Sequence, residues 1–172
     1  LCPRCGDFNL EKRQQTADMT GQVAVVTGGR VRIGYATVLK LLRAGARVVT
    51  TTRFPYDAAL RYSREDDFEV WRQNLSVVGP IDLANLRAVE AFCDSLLAAY
   101  PRIHVLINNA AQTLTRPEGW FVRMGELEDR AAGLLSPVGL ALLGASDSDS
   151  GRRQLRAQAE ANGGAMGPDV TR

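Results

Sequence analysis

The chain has 172 residues, a length that predicts one domain or one domain with a tail. Hydrophobic residues make up 45% of the chain and charged residues 23%, which suits a buried core and excludes disorder throughout. The net charge of +2 gives no sign of a basic surface for nucleic acid or anionic membranes, so neither partner is expected. No apolar run approaches the ~20 residues that a bilayer span needs.

The three cysteines are too few and too odd in number for a disulfide-stapled secreted scaffold. This count and the lack of a visible signal peptide favour a reducing compartment, and we expect a cytoplasmic protein. Cys2 and Cys5 have the spacing of half a structural zinc site, but no second pair of ligands accompanies them. We expect an unmetallated, unstructured N-terminal extension there, and zinc binding by these two thiols stays an open alternative.

From about residue 19 to about residue 111, apolar β-branched runs alternate with amphipathic helical patterns. A helix closed by Gly45 is predicted over residues 35–44, and Ser63 and Asp66 form an approximate cap for a later helix. Continuous apolar strands separated by helices predict a parallel sheet that is buried on both faces. The four predicted strands cover residues 22–27, 47–52, 75–81 and 103–107.

A further helix is predicted after the third strand, with Asp82 at its N-cap position. Apolar side chains recur along it at three- and four-residue spacing, which predicts a buried face. This face comprises Leu86, Val89, Cys93, Leu96, Leu97 and Tyr100. Cys93 is therefore expected in the core.

Beyond about residue 113 the alternation stops, and no fifth strand is predicted. Residues 126–135 are compatible with a helix, whereas residues 144–151 are typical of a linker and residues 162–167 of a flexible tail. The chain thus divides into an N-terminal extension with the two nearby cysteines (1–18), an α/β domain (19–115) and a poorly ordered tail, helical or disordered (116–172).

A glycine-containing turn, residues 27–34, follows the first predicted strand and opens a helix. A diphosphate needs backbone N–H donors at a helix N-terminus, and glycine lets the backbone come close enough to supply them. Gly28 and Gly34 meet this need within the first βαβ unit. A nucleotide-hydrolase phosphate loop is excluded, because Tyr35 and Ala36 stand where Lys and Ser or Thr are required.

Three motifs, in chain order, resemble the short-chain dehydrogenase/reductase family. They are the loop at residues 27–34, the pair Asp82-Leu83 after the third strand, and Asn108-Asn109-Ala110-Ala111 after the fourth. The resemblance covers about residues 20–115 and implies an incomplete, doubly wound, Rossmann-like parallel sheet.

The resemblance also implies site residues. Asp82 and Leu83 would border an adenine, although helix capping is the simpler explanation of Asp82. Asn108 would join neighbouring strands, and Ile33 belongs to the diphosphate loop. The tetrad would line the cofactor cleft with Asn109, Ala110 and Ala111, the last of which replaces the family's glycine in a change that we expect to be tolerated.

Cofactor choice depends on the end of the second strand, where an acidic residue would favour NAD. Thr52 and Arg53 stand there instead, which fits the 2′-phosphate of NADP. Arg32 replaces the middle glycine of the family loop, so a side chain enters the place of closest approach to the diphosphate. Arg30 and Arg32 are weaker candidates for the same phosphate, and the predicted cofactor is NADP.

The family's catalytic Tyr-x-x-x-Lys pair does not occur in this sequence, whose lysines are Lys12 and Lys40. Tyr35 and Lys40 are one residue too far apart and belong to the glycine-loop helix. Ser146, Ser148 and Ser150 belong to the predicted linker, and the lone His104 is interpreted as structural. No catalytic residue is therefore assigned.

Three interpretations stay open. The chain is the NADP-binding half of an oxidoreductase that transfers hydride between NADPH and a carbonyl or alcohol carbon, inactive by itself and with an unknown small-molecule substrate. Alternatively, it is a non-catalytic dinucleotide-sensing or regulatory module, whose tail contacts a partner. The third interpretation is an incomplete or mis-joined product with exposed strand edges.

Overall fold

The computed structural model describes residues 2–111 and 116–144. Four parallel strands form one sheet in the order β3-β2-β1-β4. The strands are β1 (Val23–Thr27), β2 (Arg47–Thr51), β3 (Leu75–Val78) and β4 (Val105–Ile107). The helices are α1 (Pro3–Gln14), α2 (Arg32–Arg43), α3 (Pro55–Tyr62), α4 (Phe68–Trp71), α5 (Leu86–Ala99), α6 (Glu118–Leu134) and α7 (Pro137–Leu140). The predicted α/β fold class and all four strands are confirmed.

Helices pack on both faces of the sheet, because alternate residues of a strand point to opposite sides. On one face, Ala24 and Val26 of β1 belong to a large core with Val38 of α2 and Tyr62 of α3. On the other face, Val25 of β1 and Val49 of β2 pack with Leu96 of α5 in a smaller cluster. The sheet is therefore doubly wound, as expected, with most of its buried apolar area on the α2 and α3 side.

The second face is less buried than the sequence predicts. Of the expected apolar face of α5, Leu96 is buried, whereas Leu86, Cys93 and Leu97 are exposed, so the core assignment of Cys93 is wrong. Among the described residues, β4 is the last strand of the sheet, and 61% of Leu106 is exposed. Helix α5 is buried only where it contacts β1 and β2, and this contact covers only one side of the helix.

Two predicted helix starts are wrong. Helix α5 begins three residues after the expected position, and Asn85 rather than Asp82 caps it by accepting a hydrogen bond from the Ala88 N–H at 3.2 Å. Asp82 instead accepts from the Ala84 N–H in a local turn. Ser63 ends α3 instead of starting a helix, because Pro55 supplies the earlier start that its fixed φ favours at a first helical position.

The N-terminal extension is helical, so the expectation of an unstructured segment is wrong. Cys2 is the N-cap of α1 and Cys5 lies in its first turn, yet α1 buries none of its residues. Hydrogen bonds involving Cys5 lower the pKa of the exposed Cys2 thiol. The two thiols therefore lie at a helix N-terminus outside the sheet domain.

Residues 116–144 contain more regular structure than the tail predicted from the sequence. Helix α6 contains most of the helix expected over residues 126–135 and extends it toward the N-terminus. Leu143 then makes an isolated parallel bridge to Val77 of β3, which falls short of a fifth strand. None of the described helices has the length and apolar character needed to cross a bilayer. The rest of the predicted linker and tail, residues 145–172, lies outside the described residues.

A buried carboxylate anchors α6 to α3. Glu128 of α6 is 4% exposed, and its two oxygens accept hydrogen bonds from the backbone N–H groups of Tyr56 and Asp57, at 2.6 and 2.8 Å. Burial raises the pKa of Glu128 to about 7, although these two hydrogen bonds favour the ionised form. Nearby Asp57 also raises the pKa, and Arg30 lowers it.

We expect stability to fall as the pH rises from about 4.5 to about 7, because the folded chain keeps on Glu128 a proton that the unfolded chain releases. The integrated loss is about 3 kcal/mol at most. Urea unfolding between pH 4 and pH 8 should show this slope in the wild type and in Glu126→Gln, a change of an exposed carboxyl on the same helix. Glu128→Gln should be flat over that window, and an unchanged slope in this variant contradicts the assignment.

Candidate cofactor-binding cleft

A cleft of about 720 Å³ opens at the carboxyl ends of the strands, where ligands bind in open α/β sheets. It brings together all twelve residues that the sequence singles out for a cofactor. They are Gly28, Arg30, Arg32, Ile33, Gly34, Thr52, Arg53, Asp82, Leu83, Asn109, Ala110 and Ala111. These twelve residues come from four separate stretches of chain that meet at one edge of the sheet.

The glycines of the β1–α2 turn are required by close packing. Gly28 has a φ of +76°, and a Cβ there would lie 3.0 Å from the Ala110 Cα. A Cβ on Gly34 would collide with the Gly28 carbonyl oxygen and the Asn109 amide nitrogen. The loop therefore leaves bare backbone at the start of α2, which is the cradle that a diphosphate needs.

Asn109 and Thr27 join the end of β1 to the end of β4. The Asn109 side-chain amide donates to the carbonyl oxygens of Thr27 and Gly28, at 3.0 and 3.1 Å. In return, the Thr27 hydroxyl oxygen accepts from the backbone N–H groups of Asn109 and Ala110. The strand-joining role that the resemblance gives to Asn108 is thus performed by Asn109, which also lines the cleft.

Arg32 adopts a conformation that favours glycine. Its φ of 56° makes it the one non-glycine residue with positive φ among those described. This is the position where the family loop has its middle glycine, so the backbone keeps the loop shape despite the side chain. A left-handed conformation costs a residue with a Cβ about 1–2 kcal/mol.

The end of β2 brings a cation into the cleft. Thr52 is buried, and its hydroxyl oxygen accepts a hydrogen bond from the Phe54 N–H at 3.1 Å. The guanidinium of Arg53 lies over the rings of Phe54, Trp120 and Phe121, with its central carbon 5.7 to 5.9 Å from each centroid. These aromatic contacts hold Arg53 at the strand end and limit its rotamers.

Arg30 is already paired. Its guanidinium contacts the Asp57 carboxylate at 2.6 Å and lies over the Phe54 ring. Burial opposes ionisation of Asp57, but hydrogen bonds from Arg61 and Arg30 prevail and hold the pKa of this carboxyl below its usual range. Arg30 therefore lines the cleft as part of an ion-pair network, which weakens it as a phosphate ligand.

Three predicted residues lie at the cleft mouth. Ile33 is 76% exposed and Leu83 44% exposed, and Asp82 stands beside Leu83 in the turn before α5. Exposed apolar side chains at the rim of a cleft suit contact with the flat face of a ligand.

The residues rejected as catalytic have other contacts. The His104 Nδ1 accepts a hydrogen bond from the Val23 N–H at 3.0 Å, which confirms its structural role between β1 and β4. The Tyr35 hydroxyl donates to Glu65, and Lys40 donates to the Arg13 carbonyl oxygen. Burial, followed by the bond to Glu65, raises the pKa of Tyr35. The three serines of the predicted linker lie outside the described residues.

Sequence reasoning missed a second wall of the cleft, which Arg116 and Trp120 form. Both follow the four undescribed residues 112–115, in the segment interpreted as tail. No motif marked them, and the one available signal was the pair of adjacent aromatic residues, Trp120 and Phe121, in a helical stretch.

Comparisons with known proteins identify the family of this chain. The model of the short chain dehydrogenase family matches residues 22–130. An uncharacterized protein of Acanthamoeba polyphaga mimivirus is 35% identical over 133 residues, 74% of this chain and 28% of that protein. Retinol dehydrogenase 14 of Mus musculus is 39% identical over 106 residues, 54% of this chain and 30% of that enzyme.

Among solved structures, a metagenomic short-chain oxidoreductase in complex with NADP is 32% identical, with a TM-score of 0.49. The match covers 73% of this chain and 59% of that one. Because the family model spans more than half of the 172 residues, the chain belongs to the short-chain dehydrogenase family. The chain matches between 28% and 41% of the length of its first curated relatives.

The positive φ of Arg32 predicts that Arg32→Gly is more stable than Arg32→Ala by about 1 kcal/mol, because only the alanine keeps a Cβ in the left-handed conformation. Both variants remove the guanidinium, so their difference isolates the backbone. Urea unfolding followed by circular dichroism measures it. Equal stability of the two variants would contradict the strained conformation.

Proposed function

We propose that this chain binds NADP(H) for an oxidoreductase whose complete form transfers hydride between NADPH and a carbonyl or alcohol carbon. The nicotinamide, when bound, is the carrier of that hydride. The residues of this chain hold the adenosine and the diphosphate and fix their position at the end of the sheet.

The observation that carries the proposal is Arg53 at the end of β2, inside the cleft. Neutral Thr52 precedes it, so neither of the two residues that follow β2 repels a 2′-phosphate. A guanidinium donates two hydrogen bonds to a phosphate in a fixed fork, which supports NADP over NAD.

The cradle at the start of α2 supports the dinucleotide. Gly28 and Gly34 both line the cleft, and neither position has room for a Cβ because Ala110 and Asn109 pack against them. Arg32 lines the same cleft and brings a positively charged side chain to the start of α2.

We infer from the sequence that this chain binds the cofactor and that residues elsewhere transfer the proton. None of the 172 residues forms a Tyr-x-x-x-Lys pair, which supports a proposal in which residues from outside this chain transfer the proton to the substrate oxygen. The same lack suits a dinucleotide-sensing module, the second candidate function, which needs the cleft and no catalytic pair.

We expect calorimetry to show NADPH binding at least tenfold tighter than NADH, because a charge-assisted contact of about 1.5–3 kcal/mol corresponds to about ten- to a hundredfold. Arg53→Ala should remove this preference. Arg123→Ala, which removes an exposed cation of α6 that does not line the cleft, should keep it. Equal affinities in the wild type would refute the choice of NADP.

The purified 172-residue chain is expected to bind NADPH without consuming it. Absorbance at 340 nm in the presence of small aldehydes and ketones should decay no faster than in the enzyme-free control. Sustained reduction of any of these carbonyls would show that the chain carries its own proton donor. It would contradict the inference that residues outside this chain transfer the proton.

A further inference from the structure

Two cysteines lie at the start of α1, outside the cleft and outside the sheet domain. Cys2 is the N-cap of the helix, Cys5 lies in its first turn, and both residues are exposed. The helix begins at Pro3, whose fixed φ favours the first helical position, so the sequence itself places the N-cap at Cys2. The Gly6 N–H donates to the Cys2 carbonyl oxygen at 2.9 Å, which closes this turn. The function proposed above uses neither thiol.

The two thiols are close enough to react with each other. Residues three apart on a helix have Cβ atoms about 5–6 Å apart, and a disulfide needs about 3.5–4.5 Å. Cys2 can close this difference, because as the N-cap it has extended backbone, with φ −65° and ψ 157°. A hydrogen bond between the two thiols already brings them into contact. A disulfide between Cys2 and Cys5 therefore needs only a small movement at the start of the helix.

Cys2 has the surroundings of an attacking thiolate. The positive end of a helix dipole stabilises a thiolate at the helix N-terminus. The first turn of α1 carries Arg4 and no acidic residue. Hydrogen bonds involving the Cys5 backbone, followed by those of its thiol, lower the pKa of the Cys2 thiol. Because the thiolate is the reactive form of cysteine, Cys2 is the thiol that attacks first.

A shared zinc ion suits this pair less well than a disulfide. A structural zinc site has four ligands. Within residues 2–111 and 116–144, no group of three or more His, Cys, Asp or Glu side chains is placed to hold a metal ion. Zinc would thus need two further ligands from another chain, whereas a disulfide needs only the two thiols that α1 brings together.

We propose that Cys2 and Cys5 form a thiol–disulfide exchange site whose substrate is a small disulfide of the glutathione type. The Cys2 thiolate attacks one sulfur of that disulfide, so a mixed disulfide forms and the other half leaves as a thiolate. Cys5 then loses its proton to water, attacks the Cys2 Sγ and displaces the second half. The two protein thiols are oxidised to one disulfide, and the external disulfide is reduced to two thiols. The two protons released by Cys2 and Cys5 pass through water to the leaving thiolates.

The test treats the full, reduced chain with oxidised glutathione, blocks the remaining thiols with N-ethylmaleimide and analyses tryptic peptides by mass spectrometry. Trypsin cleaves after Arg4, between the two cysteines, so the disulfide appears as residues 1–4 linked to residues 5–12. The wild type should give this linked pair. Cys5→Ser should accumulate glutathione on Cys2, because the second attack is lost. Cys93→Ser, the matched loss of an exposed cysteine on α5, should give the same linked pair as the wild type.

Alkylation rates give an independent readout. At pH 7, iodoacetamide should modify Cys2 at least about threefold faster than Cys93 of the same chain, because more of Cys2 is thiolate. Equal rates would contradict the assignment of Cys2 as the attacking thiol. Circular dichroism of Cys2→Ser and Cys5→Ser should match that of the wild type, because α1 buries none of its residues.

Two further outcomes would overturn the inference. The first is a wild type that carries glutathione on Cys2 and Cys5 without the linked pair, or a Cys5→Ser variant with no more mixed disulfide than the wild type. The second is a reduced chain that dimerises when Zn²⁺ is added and whose thiols then resist oxidised glutathione, which would show that two chains share a metal ion. Neither result depends on NADPH binding, so the proposed function is tested separately.

Discussion

The close approach of the β1–α2 turn to the end of β4 is the constraint on which the rest of the site depends. Gly28 lies so near Ala110 that a side chain does not fit between them, and Asn109 fills the remaining polar space with hydrogen bonds. This contact fixes the register of two strands that are distant in sequence. Gly28, Asn109 and Ala110 all line the cleft, so one packing requirement shapes both the sheet and the site.

The sequence predicted the parts of the molecule in which local pattern and tertiary structure agree. The four strands and the twelve cleft residues follow from β-branched runs, glycines and three motifs in chain order. The helix caps were missed because Asp82 and Asn85 are both capping residue types, and only the geometry of the turn decides between them. Cys93 was misassigned because periodicity predicts an apolar face without showing how much of it the rest of the chain covers.

The two edges of the sheet differ in a way that sequence patterns do not reveal. On the β3 side, the Val77 N–H donates to the Leu142 carbonyl oxygen, and the Gly144 N–H donates to that of Val77. On the β4 side, no described residue adds a strand, and Leu106 stays exposed. Unpaired edges of this kind invite pairing with another strand. The exposure of β4 thus follows from its place at this edge, whereas α5 packs over β1 and β2 in the middle of the sheet.

The anchor of α6 has a consequence for how this protein tolerates sequence change. Glu128 binds the main-chain amides of residues 56 and 57 and none of their side-chain atoms in these two bonds. Every amino acid except proline offers the same amide, so substitutions in the first turn of α3 keep this attachment as long as the helix forms. Substitutions in this turn of α3 therefore leave both hydrogen bonds to α6 in place, whereas a single substitution of Glu128 removes both bonds at once.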